Sequence, residues 1–153
     1  MERESMSARD LSAGHSRPDV PGVVFVDGAT LCLEDIERVA RQGATACLAA
    51  SARQRVEASR AAIVRIAQLG RPEYGVTTGV GSLSDRLIPP EQTRVLQLNV
   101  LRSHAAGAGE PLPTEVVRAA LLLRANALAT GYSGVRPVVI ETLLALLNAR
   151  IHP

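Results

Sequence analysis

The residues Arg71-Pro72-Glu73-Tyr74-Gly75-Val76-Thr77-Thr78-Gly79-Val80-Gly81-Ser82-Leu83 bring one phenol, two threonines and three glycines together. Phenols are scarce here, because the chain has two Tyr, one Phe and no Trp. A Tyr beside glycines has two readings. As a base, its phenolate takes a proton, while Gly75, Gly79 and Gly81 let the backbone bend closely around a substrate. As a packing residue, it simply sits on a connecting loop. A phosphate cradle fits poorly. A P-loop needs Lys beside Ser or Thr, and the chain has no Lys. A dinucleotide fingerprint needs Gly where Ser84 stands and a strand before the loop, but a helical pattern precedes it.

The second candidate is Ser103-His104, near the end of a helical pattern. An imidazole can hydrogen-bond a polar ring. It can equally satisfy the last carbonyls of its own helix, where the dipole favours it. His15, His104 and His152 are far apart, and Cys32 and Cys47 are isolated. No metal-ligand spacing appears, so no metal is expected. The two thiols read as core side chains in a reducing cytoplasm rather than nucleophiles.

Composition narrows the classes further. Hydrophobic residues make up 46%, charged residues 21% and aromatics 2%, so the core must be built from Leu, Val, Ile and Ala. The net charge of +2 and the lack of basic clusters with stacking aromatics argue against nucleic acid. No apolar run is long enough for a membrane span. Residues 1–20 are polar and read as a disordered tail without a signal peptide, which leaves 21–153 as the ordered part.

The elements that must position the candidates follow from periodicity. Val23–Val26 reads as a strand turned by Asp27-Gly28. Leu31 to Ala40 reads as a short helix stopped by Gly43. Leu48 to Leu69 reads as one long helix, with Val56, Ile63 and Ile66 inward and Arg53, Arg55, Arg60 and Arg65 elsewhere. Gly70 and Pro72 end it, and an extended loop carries Tyr74. Pro90 restarts a helix towards Ala106, and Pro113-Thr114-Glu115 opens another. Gly131 stops that one. Ser133 caps a last helix, which has Pro137 in its first turn and runs to Asn148. The fold class is mainly α, a small α/β start followed by helices. AALLL at 119–123 and TLLALL at 142–147 are apolar on more than one face and call for further neighbours. The chain reads as stopping short of its own core.

Four ordered segments carry a resemblance: YGVTTGVG at 74–81, LQLNVLRSHAAGAGEPLP at 96–113, RANALATGYSGVRP at 124–137 and LLNARIHP at 146–153. Together they resemble the amino-terminal part of the histidine and aromatic amino-acid ammonia-lyases and aminomutases. The resemblance implies a helical homotetramer that eliminates ammonia from an α-amino acid. It implies a 4-methylideneimidazole-5-one (MIO) electrophile, made from an internal Ala-Ser-Gly. It implies Tyr74 as the catalytic base, in a site that favours phenolate over a phenol of ordinary pKa about 10. The loop glycines, Gly81 among them, would then border the substrate and permit a lid-like closure. Val80 departs from the Phe common there. Asn99, Arg124, Asn126, Tyr132 and Arg136 take structural roles.

Ser103 and His104 fall where the family reads the substrate side chain. Phe-Leu is common there in phenylalanine enzymes and His-Leu in tyrosine lyases. Ser-His occurs in histidine lyases and also in tyrosine aminomutases. Histidine is therefore the expected substrate and tyrosine the alternative. No Ala-Ser-Gly is present, and Tyr132-Ser133-Gly134 is the nearest imitation. The expected partners are a small amino acid and the remainder of a lyase, on the same or a companion polypeptide. The alternative of another class is a non-catalytic helical protein that binds full-length relatives.

Overall fold

The structure, a computed structural model, describes residues 20–81 and 84–152. The expected tail lies outside the described residues except for Val20. Strand β1 (Val23–Val26) pairs in parallel with strand β2 (Thr45–Leu48), Val23 opposite Thr45 and Val26 opposite Leu48. Parallel strands need a crossover. Here it is helix α1 (Leu33–Ala40), and helix α2 (Ala50–Gln68) follows β2. Then come α3 (Pro90–His104), α4 (Thr114–Ala129) and α5 (Pro137–Asn148).

Strand β2 corrects the sequence reading, which absorbed Leu48 into the long helix. Only Ala49, extended at φ −66 and ψ 142, separates β2 from α2. Ala and Leu on both sides hide the change of period. The strand is held by more than its neighbour. The Asn148 side chain at the end of α5 accepts from Ala46 N and donates to Ala46 O, both at 2.9 Å. It completes the ladder as a third strand's peptide would.

The turn after β1 explains its own sequence. Asp27 Oδ1 accepts from Ala29 N and Thr30 N at 2.8 Å, an Asx turn. Gly28 has φ +80, and a Cβ there would lie 2.6 Å from the backbone nitrogen of Thr130. The end of α4 therefore rests directly on the turn. Asn126 Oδ1 accepts from Gly28 N at 2.9 Å, the kind of structural role expected of it.

The core joins the two strands to α1, α2, α4 and α5. Val24, Val26, Val39, Val56, Leu122, Ile140 and Leu147 are its largest fully buried side chains. Arg118 of α4 is also buried, and it donates to Val39 O, Ala40 O and Leu147 O. One guanidinium thus closes the carboxyl ends of both α1 and α5.

Other expectations change at the periphery. Arg55 turns inward to donate to Asp27 O and Ala129 O, and Arg60 reaches Gly134 O at 3.5 Å. Arg53 does face outward, between Glu57 and Glu141. Of the expected inward stripe on α2, Val56 is buried, while Ile63 and Ile66 are half-buried. Arg136, not Ser133, precedes α5 as its cap, without a side-chain bond. Pro137 opens that helix, supplying a fixed φ and needing no donor. Among its described side chains, α3 buries none, and it contributes nothing to the core.

Candidate active site

Tyr74 sits on a folded turn, not an extended loop. Glu73 O accepts from Val76 N and Thr77 N at 3.0 Å and from Thr78 N at 3.3 Å. Thr78 then bridges antiparallel to Leu87. Gly79 N donates to Arg86 O at 3.0 Å, and Ile88 N to Thr77 O at 2.9 Å. Gly75 (φ +68) and Gly81 (φ +60) occupy the left-handed region that favours glycine, whereas Gly79 does not. The Tyr74 side chain is 69% exposed. Its ring is presented to the outside rather than packed.

Thr77 and Thr78 were not singled out from the sequence, yet they tie the turn. Glu73 N donates to Thr77 Oγ1 at 2.8 Å. Gly75 N donates to Thr78 Oγ1 at 3.4 Å. The only sequence signal was a pair of hydroxyls three and four positions after the Tyr, a spacing that suits local turn bonds.

Ser103 and His104 lie in the last turn of α3, about 21 Å along the helix from Pro90 at 1.5 Å per residue. Val100 O accepts from Ser103 Oγ at 3.0 Å and lies 2.9 Å from His104 Nδ1. Nδ1 also lies 3.0 Å from Ser103 Oγ, so a protonated Nδ1 donates to Val100 O and an unprotonated one accepts from the serine hydroxyl. In the first tautomer of the neutral ring Nε2 is an acceptor, in the second a donor. His104 is exposed. Among the described residues, no hydrogen bond joins it to Tyr74 or to Gly81.

Beside the turn runs an open cleft of about 970 Å³. Its walls are Ile63 and Ala67 of α2, Gly75 and Val76 of the turn, Thr93 and Gln97 of α3, and Ser133 to Arg136 before α5. Tyr74, Gly81, Ser103 and His104 do not line it. Among the described residues, no hydrogen bond and no common cleft lining joins Tyr74 to Ser103-His104.

The electrophile cannot come from Tyr132-Ser133-Gly134. Gly134 N donates to Ser59 Oγ at 3.1 Å, and a Cβ at Gly134 would fall 2.2 Å from Ile63 Cγ1. Tyr132, where Ala would be needed, is 92% exposed. The tripeptide works as a packed joint between α4 and α5, and the residues present do not fit the MIO group.

The thiols differ from expectation. Cys32 is an exposed cap of α1 rather than a core residue, and Cys47 is half-buried in β2. The Asp35 backbone N–H pulls the Cys32 thiol pKa down. Hydrogen bonds to the Glu34 and Asp35 carboxylates outweigh it and leave the pKa raised. Thiolate is the reactive form, so Cys32 should be a slow nucleophile at neutral pH. In a Cys47→Ala background, alkylation should be slower than that of a free cysteine and accelerate only at alkaline pH. Glu34→Gln should speed it, and an unchanged rate would contradict the carboxylate explanation. Among the described residues no group of His, Cys, Asp and Glu could hold a metal ion.

The family model for aromatic amino acid lyases matches residues 31–153. The chain belongs to the aromatic amino acid lyase family. The histidine ammonia-lyase of Geobacillus sp. (strain WCH70) is 50% identical over 131 residues, covering 86% of this chain and 26% of that protein. The ergothionase of Treponema denticola, an ergothioneine-degrading enzyme, superposes with a TM-score of 0.82 at 33% identity, over 86% of this chain and 26% of its own. The tyrosine aminomutase of Streptomyces globisporus gives 0.77 at 39% identity, over 82% and 24%. The strands and helices described above are thus those of the helical ammonia-lyase fold. The chain spans about a quarter of the length of these relatives.

Proposed function

We propose that the chain supplies the amino-terminal part of a histidine ammonia-lyase, with Tyr74 as the base and Ser103-His104 reading the substrate ring. The observation that carries this reading is the 50% identity to a histidine ammonia-lyase over 131 residues. The exposed His104 ring supports it, since in the tautomer with Nδ1 protonated its Nε2 is an acceptor. An imidazole N–H can donate to that nitrogen, whereas a phenyl ring has nothing to donate. A phenol O–H can donate too, which keeps tyrosine, the substrate named for the Streptomyces relative, as the second reading.

In this reading the substrate lies across the turn, with Gly81 at its border. The Tyr74 phenolate takes one β-hydrogen as a proton. The electrons of that C–H bond form the Cα–Cβ double bond, and the amine leaves with the pair of the Cα–N bond. In the complete enzyme, MIO would supply the electrophile that activates the amine. Assembly as a homotetramer in the cytoplasm belongs to the same reading. Two unpaired thiols suit a reducing compartment. Among the described residues no helix is long and apolar enough to cross a membrane.

A hybrid enzyme tests the assignment. In it, this chain replaces the matching 131 residues of the Geobacillus lyase. The hybrid should convert histidine to urocanate and prefer histidine to tyrosine. The purified 153-residue chain alone should form no urocanate. A preference for tyrosine would favour the second reading, and a correctly folded but inert hybrid would favour a non-catalytic binding protein.

A further inference from the structure

We propose that Thr77 and Thr78 are positioning residues that hold the Tyr74 phenol at its working angle, an inference that rests on the base reading above. The peptide N–H groups on either side of Tyr74 are both held by these hydroxyls. Glu73 N donates to Thr77 Oγ1 at 2.8 Å, and Gly75 N donates to Thr78 Oγ1 at 3.4 Å. Neither hydroxyl is idle beyond that. Thr77 Oγ1 passes its own proton to Arg71 O, and Thr78 Oγ1 donates to Gly79 O at 3.0 Å. A hydroxyl has one proton and two lone pairs, so each threonine works as a donor and an acceptor at once. Thr77 ties the turn back to the entry at Arg71. Thr78 ties it forward to the exit at Gly79.

The burial pattern separates this from an ordinary surface turn. Thr78 is 3% exposed while Tyr74 is 69% exposed. The turn is rooted inward through Thr78 and presents the phenol outward. A Gly at 75 with φ +68 would otherwise leave the Tyr74 backbone free to swing. Proton transfer needs the base held within hydrogen-bond reach, and a misplacement of about 1 Å can cost roughly 10²-fold in rate. The two threonines remove that freedom without touching the substrate.

The test has two arms. In the 153-residue chain, amide hydrogen exchange is read at Glu73 and Gly75. Thr77→Val should accelerate exchange at Glu73, and Thr78→Val at Gly75, each by about tenfold, a lost bond being worth that order. Thr→Ser at either position should leave exchange unchanged. In the hybrid, each Val variant should lower kcat by about ten- to a hundredfold with KM unchanged, and Ser should restore it. Unchanged exchange, unchanged kcat, a loss confined to KM, or a loss that Ser does not rescue would each overturn the proposal. Tyr74→Phe in the same hybrid separates the failures. If it abolishes turnover while the Val variants leave kcat intact, the base reading stands and the positioning role falls. If it leaves turnover intact, the base reading falls and takes the positioning role with it, whatever the exchange shows.

Discussion

Tyr74→Phe in the Geobacillus hybrid is expected to lower kcat by about 10²- to 10⁴-fold, the usual range for removing a positioned general base. The substitution deletes a single oxygen. The ring is 69% exposed and holds no place in the core, so stability should not move. KM should change little, because the hydroxyl's work is done on the β-hydrogen in the transition state rather than in substrate binding. The companion substitution Tyr132→Phe removes the other phenol, which is 92% exposed on the joint before α5. It should leave kcat unchanged. Urocanate formation, followed by its ultraviolet absorbance, measures both variants. If Tyr74→Phe turned over like the parent, Tyr74 would be only the outward face of a tied turn.

The sequence carried the helices well and the small sheet poorly, for physical reasons. Pro at the head marks α3, α4 and α5, Gly at the foot marks α3 and α4, and these punctuators act locally. Strand β2 has no such marks. Its four residues, Thr45–Leu48, run into the alanines of α2, and only pairing with β1 and the amide of Asn148 make it a strand. Arg55 and Arg118 were illegible in a different way. An Arg in a helical pattern is placed outward by default. Both turn inward because distant carbonyls, 28 and 29 residues away or more, lack other donors. At the candidate site, Tyr74 and His104 stood out as rare residue types. The bonds of Thr77 and Thr78 did not, because a turn's hydrogen-bond circuit is fixed only when the backbone closes.

Arg118→Met should be the most damaging single change to the fold, at about 3–5 kcal/mol, the order for stranding several carbonyls at once. Methionine nearly fills the stem's volume but brings no donor. The loss is therefore one of hydrogen bonds rather than packing. Val39 O, Ala40 O and Leu147 O would be left buried or half-buried without the guanidinium. Each stranded carbonyl costs about 1–3 kcal/mol. The positive charge is also placed where two helices end, and their dipoles favour a cation there. Helix α1 has only eight residues and its last carbonyls, Val39 O and Ala40 O, both rest on Arg118, so it should fray first. That would loosen the crossover between β1 and β2. Lysine at 118 keeps the charge but replaces a planar fork with a point donor, so Arg118→Lys should recover only part of the loss. Thermal or urea unfolding of the 153-residue chain provides the measurement. At about 2–4 °C per kcal/mol for a chain of this size, the Tm of Arg118→Met should fall by roughly 10 °C. A fall of a degree or two, or full recovery by lysine, would mean that the carbonyls find water and that the two helix ends do not depend on one side chain.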